Sequence, residues 1–542
     1  MARMTGGQAI VAELLLHSVN VVFGLPGAQI YGLFDALHAE RARIRVIGAR
    51  HEQGCAYMAL GYARSTERPG VCAVVPGPGM LNTSAALLTA FGSNAQVLCL
   101  TGQVPSAFFG RGRGHLHEMR DQLATMRSLV KWAERIEHPT TAPSLVAQAF
   151  QQMRSGRPGP AALEMFWDKL TEIDEVEPLA PLPLLPSPPV DFDCIERAAV
   201  LIRAARAPMI LVGGGSVGAG CDVLELANIL EAPVVALRNG RGVVSDAHAL
   251  AVNVASGFHL WPTTDLLIAI GTRLEIVELR WGFRPDGLKT IRIDIDPAEA
   301  RRYPCDVNIV ADAAVATRAL IEAARKHGAR ASGRLDLILT AKANTAAEIA
   351  TVQPQMAYLQ VIREVLPEDG FFVDDLSQVG FTSWFGFPVY RPRSYISSGH
   401  QGTLGSGFGT ALGVKVAHPD KAVLSICGDG GFMFAVQELA TAVQYRIGIV
   451  VVIFNNASFA NVRRDQQQGF EGHVIGADLI NPDFMQLAGA FGVECRRVSS
   501  PAALKPVLAM ALAQSAPYLI EVQLERGTEA SPWRFINPKR PL

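Results

Sequence analysis

The chain has 542 residues, of which 49% are hydrophobic and 18% are charged, and its formal net charge is −1. This length exceeds what a single hydrophobic core supports, so we expect roughly two to four domains. The balanced charge argues against a nucleic-acid partner, because such binding needs a concentrated basic face.

The cysteines and the N-terminal segment indicate the cellular setting. Eight cysteines are scattered without a CxxC pair, and several lie in apolar runs, which is typical of buried thiols in a reducing compartment. The N-terminal segment lacks the features of a signal peptide, and no apolar run reaches the ~18 residues of a membrane span. We therefore expect a cytoplasmic protein with no membrane partner.

The first third of the chain alternates short apolar strands with helices. Strands are predicted at residues 20–24, 44–47, 70–75 and 96–101, and helices at 52–65 and 81–92. Short apolar strands separated by helices predict a parallel sheet that is covered on both faces.

The same pattern returns twice after a proline-rich stretch at residues 175–193, which predicts an interdomain linker. Further strands are predicted at 209–212, 234–236, 266–270, 290–295, 370–373, 422–427, 449–455 and 518–524, and a helical stretch at 334–350. The predicted architecture is three doubly wound α/β domains, at residues 1–175, 190–330 and 350–542.

A glycine-flanked aspartate, Asp429, lies between a predicted strand and a predicted helix. Ligands of open parallel sheets bind at the carboxyl ends of strands. Gly428, Gly430 and Gly431 let backbone N–H groups approach a phosphate, and the start of a helix favours negative charge. The turn therefore predicts a phosphate site with a carboxylate placed for a divalent cation.

The next predicted strand ends in two asparagines, and Asn456 lies 27 positions after Asp429. Neighbouring parallel strands end on the same side of a sheet, so we expect these two side chains to meet. Their oxygens, a loop carbonyl and phosphate oxygens would form the shell that Mg²⁺ prefers. A plain βαβ unit with a tight turn explains the glycines alone, but not the asparagines at this spacing.

The Gly-Asp-Gly turn and the double asparagine resemble the signature of thiamine-diphosphate enzymes, more specifically of the acetolactate synthase, pyruvate oxidase and benzaldehyde lyase group. The resemblance covers essentially the whole chain. It implies the domain order pyrimidine-binding, central Rossmann-like and diphosphate-binding. It also implies that Asp429, Asn456 and the Ser458 carbonyl bind Mg²⁺.

Glu52 opens a predicted helix after a predicted strand. A glutamate in a first helical turn commonly does no more than complement the helix dipole. The resemblance implies that Glu52 instead hydrogen-bonds N1′ of the aminopyrimidine, so that the cofactor acts as its own base. The segments around Pro26 and Asn82 also resemble the family's first domain, which places both residues at the pyrimidine and substrate pocket.

Two further segments resemble cofactor-binding loops of the family. In the first, Gly402 aligns with the residue whose carbonyl receives the pyrimidine amine, and Leu404 with an apolar wedge beneath the cofactor. From the residues alone, Leu404 fits a core contact equally well. In the second, Ser377 and Gln378 are implied to contact the diphosphate, although Val379 stands where relatives often carry histidine.

Two residues are predicted to face the substrate. Gln29 follows the Leu-Pro-Gly turn, where benzaldehyde lyase has a histidine and several relatives have a small residue. His117 lies in a loop that reaches the active site in relatives, where glutamine is usual. A loop histidine is often a plain surface residue, but the resemblance implies a proton relay or a carbonyl-orienting group. Gln29 and His117 thus join Glu52 as predicted catalytic residues.

The central segment holds a glycine-rich turn at 213–218, which alone is weak evidence for a dinucleotide. A stretch comparable to 271–273 contacts FAD in flavin-containing relatives, but the residues that follow it depart from their pattern. We therefore expect no FAD, and ADP or CoA remains open.

The resemblance implies a lyase or transferase that cleaves or forms a C–C bond next to a carbonyl, acting on 2-oxo acids or aldehydes. Several residues after the double asparagine differ from the acetolactate synthase pattern, namely Ala460, Asn461, Arg463 and Gln467. Two alternatives therefore stay open: a 2-hydroxyacyl-CoA lyase or oxalyl-CoA decarboxylase type, for which Arg534, Lys539 and Arg540 are available, and a benzaldehyde-lyase-like aldehyde lyase.

Two other interpretations fit less well. A non-catalytic paralogue would be expected to lack Glu52 or the Asp429 and Asn456 pair, and all three residues are present. A Rossmann dehydrogenase built on the turn at 213–218 leaves the other motifs unexplained. In relatives the cofactor lies between two subunits, so we expect a homodimer or homotetramer that acts on small molecules.

Overall fold

A computed structural model describes residues 1–236 and 238–538; Lys539 and Arg540 lie outside the described residues. Within these residues the chain forms three six-stranded sheets and one two-stranded ribbon. Neighbouring strands of each large sheet run parallel. The predicted fold class, three α/β domains with parallel sheets, is confirmed.

The N-terminal sheet has the order β3-β2-β4-β5-β7-β6. The strands of this domain are β1 (Ala2–Thr5), β2 (Val21–Gly24), β3 (Arg45–Gly48), β4 (Gly70–Val74), β5 (Val97–Gln103), β6 (Trp132–Ile136), β7 (Ala161–Phe166) and β8 (Ile173–Val176). Its helices are α1 (Gly6–Leu16), α2 (Tyr31–Ala39), α3 (Glu52–Ser65), α4 (Pro78–Asn82), α5 (Ser84–Ser93), α6 (Gln122–Leu129), α7 (Ala142–Arg154) and α8 (Trp167–Thr171).

The central sheet has the order β11-β10-β9-β12-β13-β14. Its strands are β9 (Pro208–Val212), β10 (Val234–Ala236), β11 (Ala251–Val252), β12 (Leu266–Ile270), β13 (Lys289–Asp294) and β14 (Val307–Val310). The helices of this region are α9 (Phe192–Ala204), α10 (Gly220–Leu230), α11 (Val254–Leu260), α12 (Pro297–Ala300), α13 (Ala313–Lys326) and α14 (Leu335–Ile349).

The C-terminal sheet has the order β16-β15-β17-β18-β20-β19. Its strands are β15 (Phe371–Val373), β16 (Tyr395–Ile396), β17 (Val423–Gly428), β18 (Val450–Asn455), β19 (Glu494–Val498) and β20 (Tyr518–Gln523). Its helices are α15 (Gln355–Val365), α16 (Gln378–Gly386), α17 (Ser406–Ala417), α18 (Asp429–Phe432), α19 (Glu438–Gln444), α20 (Ala460–Gly469), α21 (Phe484–Ala490), α22 (Pro501–Ala513) and α23 (Trp533–Ile536).

The structure differs from the prediction at both ends of the N-terminal domain. Residues 2–5 form β1, which pairs antiparallel with β8, so Glu175 and Val176 belong to a strand and not to the predicted linker. The linker also ends earlier than predicted, because α9 begins at Phe192. Neither β1 nor β8 has a local apolar pattern. Each is ordered by pairing with the other, which is distant in the chain.

The N-terminal and C-terminal domains share one hydrophobic core. It combines Phe23 and Cys72 of the first domain with Phe408, Phe432 and Ile453 of the last. Separate cores lie on the outer faces of these two sheets and in the central domain. None of the helices in the described part of the chain combines the length and the apolar character needed to cross a bilayer.

Helices α3 and α17 cross at the centre of this shared core, and glycines allow the crossing. A Cβ on Gly61 would lie 1.9 Å from the Thr410 carbonyl oxygen, and a Cβ on Gly413 would lie 1.9 Å from that of Met58. The two backbones are therefore in direct contact. This contact fixes α3, whose first residue is Glu52, against the C-terminal domain.

We expect Gly61→Ala to lower the free energy of unfolding by about 1–3 kcal/mol or more, because the added methyl group forces the helices apart. The midpoint of urea unfolding measures this. The matched control is Gly489→Ala in α21, where a Cβ meets no atom within 4 Å and alanine favours the helix. Equal midpoints for the two variants would contradict the tight crossing.

Candidate active site

The Gly-Asp-Gly turn and the double asparagine lie at the carboxyl edge of the C-terminal sheet. Strands β17 and β18 are neighbours, with Gly428 and Phe454 paired in register. Asp429 begins α18 directly after β17, and Asn455 ends β18. Both polar segments therefore leave the sheet at the same edge, where ligands of parallel sheets bind.

Asn481 joins the two segments. Its Nδ2 donates to Asp429 Oδ2 at 2.7 Å and to Asn455 Oδ1 at 3.0 Å. Asp429 is 2% exposed, and burial raises the pKa of its carboxyl, against the opposing effects of Asn481 and of backbone N–H groups that include Ser458. A buried carboxylate stays ionised most readily beside a cation, so this position suits a metal ion. Asn481 was not predicted, because it follows no motif.

The amide of Asn456 is held at both ends. Its Oδ1 accepts hydrogen bonds from Ser458 N at 3.1 Å and Ser458 Oγ at 2.9 Å, and its Nδ2 donates to Glu529 Oε2. All three residues are buried. Burial raises the pKa of Glu529 to about 6, while Asn456 and Arg464 act to lower it. Nothing in the sequence indicated Glu529, which lies beyond the last strand.

Asp375 shapes the loop that carries Leu404. Its Oδ1 accepts from the N–H of Gly405 at 3.1 Å and its Oδ2 from that of Gly407 at 3.2 Å, although burial raises the pKa of this carboxyl to about 6. Leu404 in turn lies beside the Gly-Asp-Gly turn, because a Cβ on Gly431 would be 3.2 Å from Leu404 Cδ1. The predicted wedge and the predicted phosphate turn are therefore neighbours.

Ser377 and Gln378 lie on the opposite side of the same turn. A Cβ on Gly428 would be 3.3 Å from the Ser377 Cβ. The Ser377 hydroxyl caps α16 and accepts from Gly380 N at 3.0 Å. Gln378 is buried, and its Oε1 accepts from Arg464 Nη2 at 2.9 Å. Ser377 therefore borders the turn, and Gln378, the next residue, brings the positive charge of Arg464 to the same side of the site.

Asp374 is a buried carboxylate that precedes Asp375 in the chain. It accepts hydrogen bonds from Trp384 Nε1 and Tyr395 OH, each at 2.9 Å. Burial raises its pKa from 3.8 to about 7. Since the pKa is higher in the folded state, the stabilisation from this proton is complete below about pH 4 and is lost as the pH rises to about 7.

We therefore expect Asp374→Asn, which cannot titrate, to make stability less dependent on pH. The difference in Tm between about pH 5 and about pH 8 should be smaller for the variant than for the wild type, because the wild type loses one proton over this range. Scanning calorimetry of the two proteins in matched buffers measures the difference. Parallel Tm profiles would contradict the raised pKa.

Glu52 begins α3 at the carboxyl edge of the N-terminal sheet, after β3. Its Oε2 accepts from Asn82 Nδ2 at 2.9 Å, and its Oε1 lies 3.3 Å from the position of a Cβ on Gly79. The structure thus brings together two residues predicted for the pyrimidine pocket. Pro26 lies exposed in the turn after β2.

Gln29 and His117, the two predicted substrate residues, contact each other. His117 Nδ1 is 3.2 Å from Gln29 Oε1, and Gln29 Nε2 donates to the Leu116 carbonyl at 2.6 Å. Both residues have left-handed backbone, with φ of 71° for Gln29 and 62° for His117. A Cβ on Gly77 would lie 2.5 Å from the His117 carbonyl oxygen, so this glycine allows the loop to fold onto the turn after β4.

Glu438 of α19 joins the C-terminal domain to the segment that precedes Glu52. Its carboxylate accepts from the N–H groups of Arg50 at 3.2 Å and His51 at 3.1 Å, directly before Glu52. A Cβ on Gly54 would lie 2.4 Å from Glu438 Oε1. A side chain of the C-terminal domain therefore fixes the segment that leads into Glu52. This contact spans almost 400 positions and was not predicted.

The donor atoms around Asp429 fit a divalent cation bound to a diphosphate. Asp429, Asn456 and Ser458 offer carboxylate, amide and carbonyl oxygens, the hard donors that Mg²⁺ prefers. Across residues 1–236 and 238–538 no group of three His, Cys, Asp or Glu side chains is placed to hold a metal ion. Gly402 lies in the loop that carries Leu404. Its φ of 57° is a left-handed backbone conformation, which favours glycine.

A separate cavity of about 100 Å³ lies where the central domain meets the N-terminal and C-terminal domains. It is lined by the glycine turns after β9 and β12, by His400, and by Arg238 and Arg280, which both pair with Glu275. The glycine-rich turn at 213–218 thus borders a cavity of its own, apart from Asp429. Which ligand it holds stays a prediction, as does the expected lack of FAD.

Models of one enzyme family match all three domains. The N-terminal TPP binding domain of thiamine pyrophosphate enzymes matches residues 4–125, their central domain matches 195–320, and their C-terminal TPP binding domain matches 375–522.

Curated relatives match over nearly their whole lengths. A probable 2-ketoarginine decarboxylase, AruI, of Pseudomonas aeruginosa is 32% identical, over 96% of this chain and 94% of the relative. A probable acetolactate synthase large subunit of Methanococcus aeolicus is 31% identical, over 97% and 93%. Glyoxylate carboligase of Escherichia coli O157:H7 is 30% identical, over 98% and 95%. The chain therefore belongs to the thiamine pyrophosphate enzymes and is a thiamine-diphosphate-dependent decarboxylase or carboligase.

Proposed function

We propose that this enzyme binds thiamine diphosphate with Mg²⁺ and decarboxylates or ligates 2-oxo acids. The observation that carries the proposal is the joining of Asp429 to the double asparagine by Asn481 at one sheet edge. It is supported by the pairing of Glu52 with Asn82 in the other TPP-binding domain.

Each group of residues has one task in this proposal. Asp429, Asn456 and the Ser458 carbonyl hold the cation, and Leu404 supports the cofactor from below. Glu52 holds a proton at the pyrimidine ring, with its Oε2 fixed by Asn82. Thiamine diphosphate itself supplies a nucleophilic carbon and an electron sink for breaking the bond next to a carbonyl.

Gln29 and His117 are proposed to orient the substrate carbonyl. The hydrogen bond between His117 Nδ1 and Gln29 Oε1 at 3.2 Å fixes the imidazole ring. Its Nε2 is then proposed to exchange a proton with the substrate, a task that suits an imidazole.

The substrate side chain is proposed to be polar. No residue of α20, the helix that follows the predicted metal-binding loop, is buried. Asp465 is exposed on it and accepts from Asn461 Nδ2 at 3.2 Å. We infer a cationic or hydrogen-bonding 2-oxo acid over an apolar one, chiefly because one relative is named for 2-ketoarginine.

The test is incubation with thiamine diphosphate, Mg²⁺ and a panel of 2-ketoarginine, pyruvate, glyoxylate, benzoylformate, benzoin and acyl-CoA donors. CO2 release and chromatography of the products follow turnover. We expect cofactor-dependent turnover, fastest with a polar 2-oxo acid. Turnover of acyl-CoA donors or benzoin alone would instead support one of the two alternatives, and turnover of no compound would contradict the proposal.

We also propose that the cofactor lies between two subunits. Within residues 1–236 and 238–538 no hydrogen bond or ion pair joins Glu52 or Asn82 to Asp429 or Asn456. The test mixes inactive Glu52→Gln chains with inactive Asp429→Ala chains. If each site takes Glu52 from one subunit and Asp429 from the other, about half of the dimers are mixed and each mixed dimer has one complete site of two. The mixture should therefore regain about a quarter of the wild-type activity. A mixture that stays inactive after subunit exchange would contradict the shared site.

A further inference from the structure

Residues 526–537, which we call the C-terminal strap, run from β20 across the carboxyl edge of the C-terminal sheet. Arg526 Nη2 donates to the Ala457 carbonyl at 2.7 Å, directly after the double asparagine. Trp533 Nε1 donates to Asn461 Oδ1 on α20. At its far end Arg534 donates to the Glu348 carbonyl at 3.1 Å. The strap therefore contacts the predicted metal-binding loop at one end and is anchored on α14 at the other.

Glu529 is the part of the strap that contacts the proposed metal ligands. It is 8% exposed, and its Oε2 accepts from Asn456 Nδ2. In the described part of the chain its carboxylate forms no ion pair; the Arg464 guanidinium bonds the Glu529 backbone carbonyl at 3.3 Å instead. The side chain of Glu529 is therefore directed at the amide of Asn456.

This contact matters because an amide has two different ends. Oxygen can bind a cation, whereas NH2 repels one, and a rotation of 180° exchanges them. A carboxylate accepts hydrogen bonds and donates none, so Glu529 can pair only with the NH2 end. Oδ1 is then left on the side of Ser458, from which it accepts two hydrogen bonds.

We propose that Glu529 is a positioning residue that selects the metal-binding orientation of the Asn456 amide. The inference rests on the proposed Mg²⁺ site and deepens it. Partners that orient a metal ligand typically change metal affinity by about 10–100-fold when they are removed.

The experiment measures Mn²⁺ affinity and not turnover. Apo-protein is saturated with thiamine diphosphate, Mn²⁺ is added, and the free ion is counted from its paramagnetic resonance signal. We expect Glu529→Ala to raise the Kd by about 10–100-fold. Glu529→Gln, which still offers an acceptor oxygen, should raise it less. Arg534→Ala, which removes only the far anchor of the strap, should leave the Kd close to that of the wild type.

A second background, Asn456→Asp, separates orientation from folding. The carboxylate that this substitution introduces has two equivalent oxygens and needs no orientation, but it places a second negative charge against Glu529. Glu529→Ala should therefore raise the Kd by a smaller factor in this background than in the wild type, because no amide remains to be oriented. The difference between the two factors measures the orienting effect apart from the loss of a nearby negative charge.

Three outcomes would overturn the inference: a wild-type Kd in Glu529→Ala, equal losses in Glu529→Ala and Arg534→Ala, or the same loss from Glu529→Ala in the Asn456→Asp background as in the wild type. The wild-type titration tests the metal site by itself. If the wild type with thiamine diphosphate binds no Mn²⁺, the proposed function fails together with the inference; if it binds and the variants do not differ, the inference alone fails.

Discussion

Replacing Glu52 by glutamine is expected to leave cofactor binding nearly unchanged and to lower kcat by roughly 10²–10⁴-fold. Glutamine keeps the size of the side chain and can still pair with Asn82, which donates to Glu52 Oε2 at 2.9 Å. It cannot hold a titrating proton at the pyrimidine ring. Binding and proton transfer should therefore separate cleanly in this variant.

Calorimetric titration with thiamine diphosphate and a steady-state assay measure the two effects. The matched control is Glu67→Gln, the same change at an exposed glutamate shortly after the end of α3. Its kinetics should equal those of the wild type. A Glu52→Gln enzyme with full turnover would remove Glu52 from the catalytic residues, and one that no longer binds the cofactor would make Glu52 a binding group instead.

Asp429→Ala is expected to weaken binding of Mg²⁺ and thiamine diphosphate by more than about 100-fold, because it removes a ligand itself and not a partner of one. The substitution also removes Asp429 Oδ2, which accepts a hydrogen bond from Asn481 Nδ2 at 2.7 Å. Calorimetric titration of Mg²⁺ into protein with thiamine diphosphate measures the loss. Activity should be recovered, if at all, only at very high Mg²⁺.

Asp420→Ala serves as the control for this variant, since Asp420 is exposed and lies before β17 in the same domain. It should bind Mg²⁺ as the wild type does. If Asp429→Ala also binds Mg²⁺ normally while remaining folded, the cation is held elsewhere and the oxygen shell proposed here is wrong.

Local patterns predicted the three sheets because their buried strands are short apolar runs between helices. The spacing of Asp429 and Asn456 predicted that both lie at one edge of the sheet for the same reason: each follows the carboxyl end of one of two neighbouring strands. Four strands of each large sheet were predicted, with ends close to those of the structure, whereas β6, β7, β11, β14, β16 and β19 were not predicted. The buried strands and the position of the site at the carboxyl edge of a parallel sheet could therefore be predicted from the sequence alone.

The supporting residues could not be predicted in this way. Asn481, Glu529 and Glu438 reach the site from segments that carry no motif, and each acts through contacts that are distant in sequence. Strands β1 and β8 were missed for the same reason, since each is ordered by the other. Such contacts depend on how the domains pack, which no local pattern indicates.

The central claim is that Glu52 and the Asp429 cluster act on opposite ends of one thiamine diphosphate molecule. Hydrogen–deuterium exchange at C2 of the bound cofactor tests it most directly, after acid quench and proton NMR. The wild type with Mg²⁺ should exchange C2–H on the order of 10²–10⁴-fold faster than Glu52→Gln with the cofactor equally bound. Equal exchange rates in the two proteins would contradict the claim.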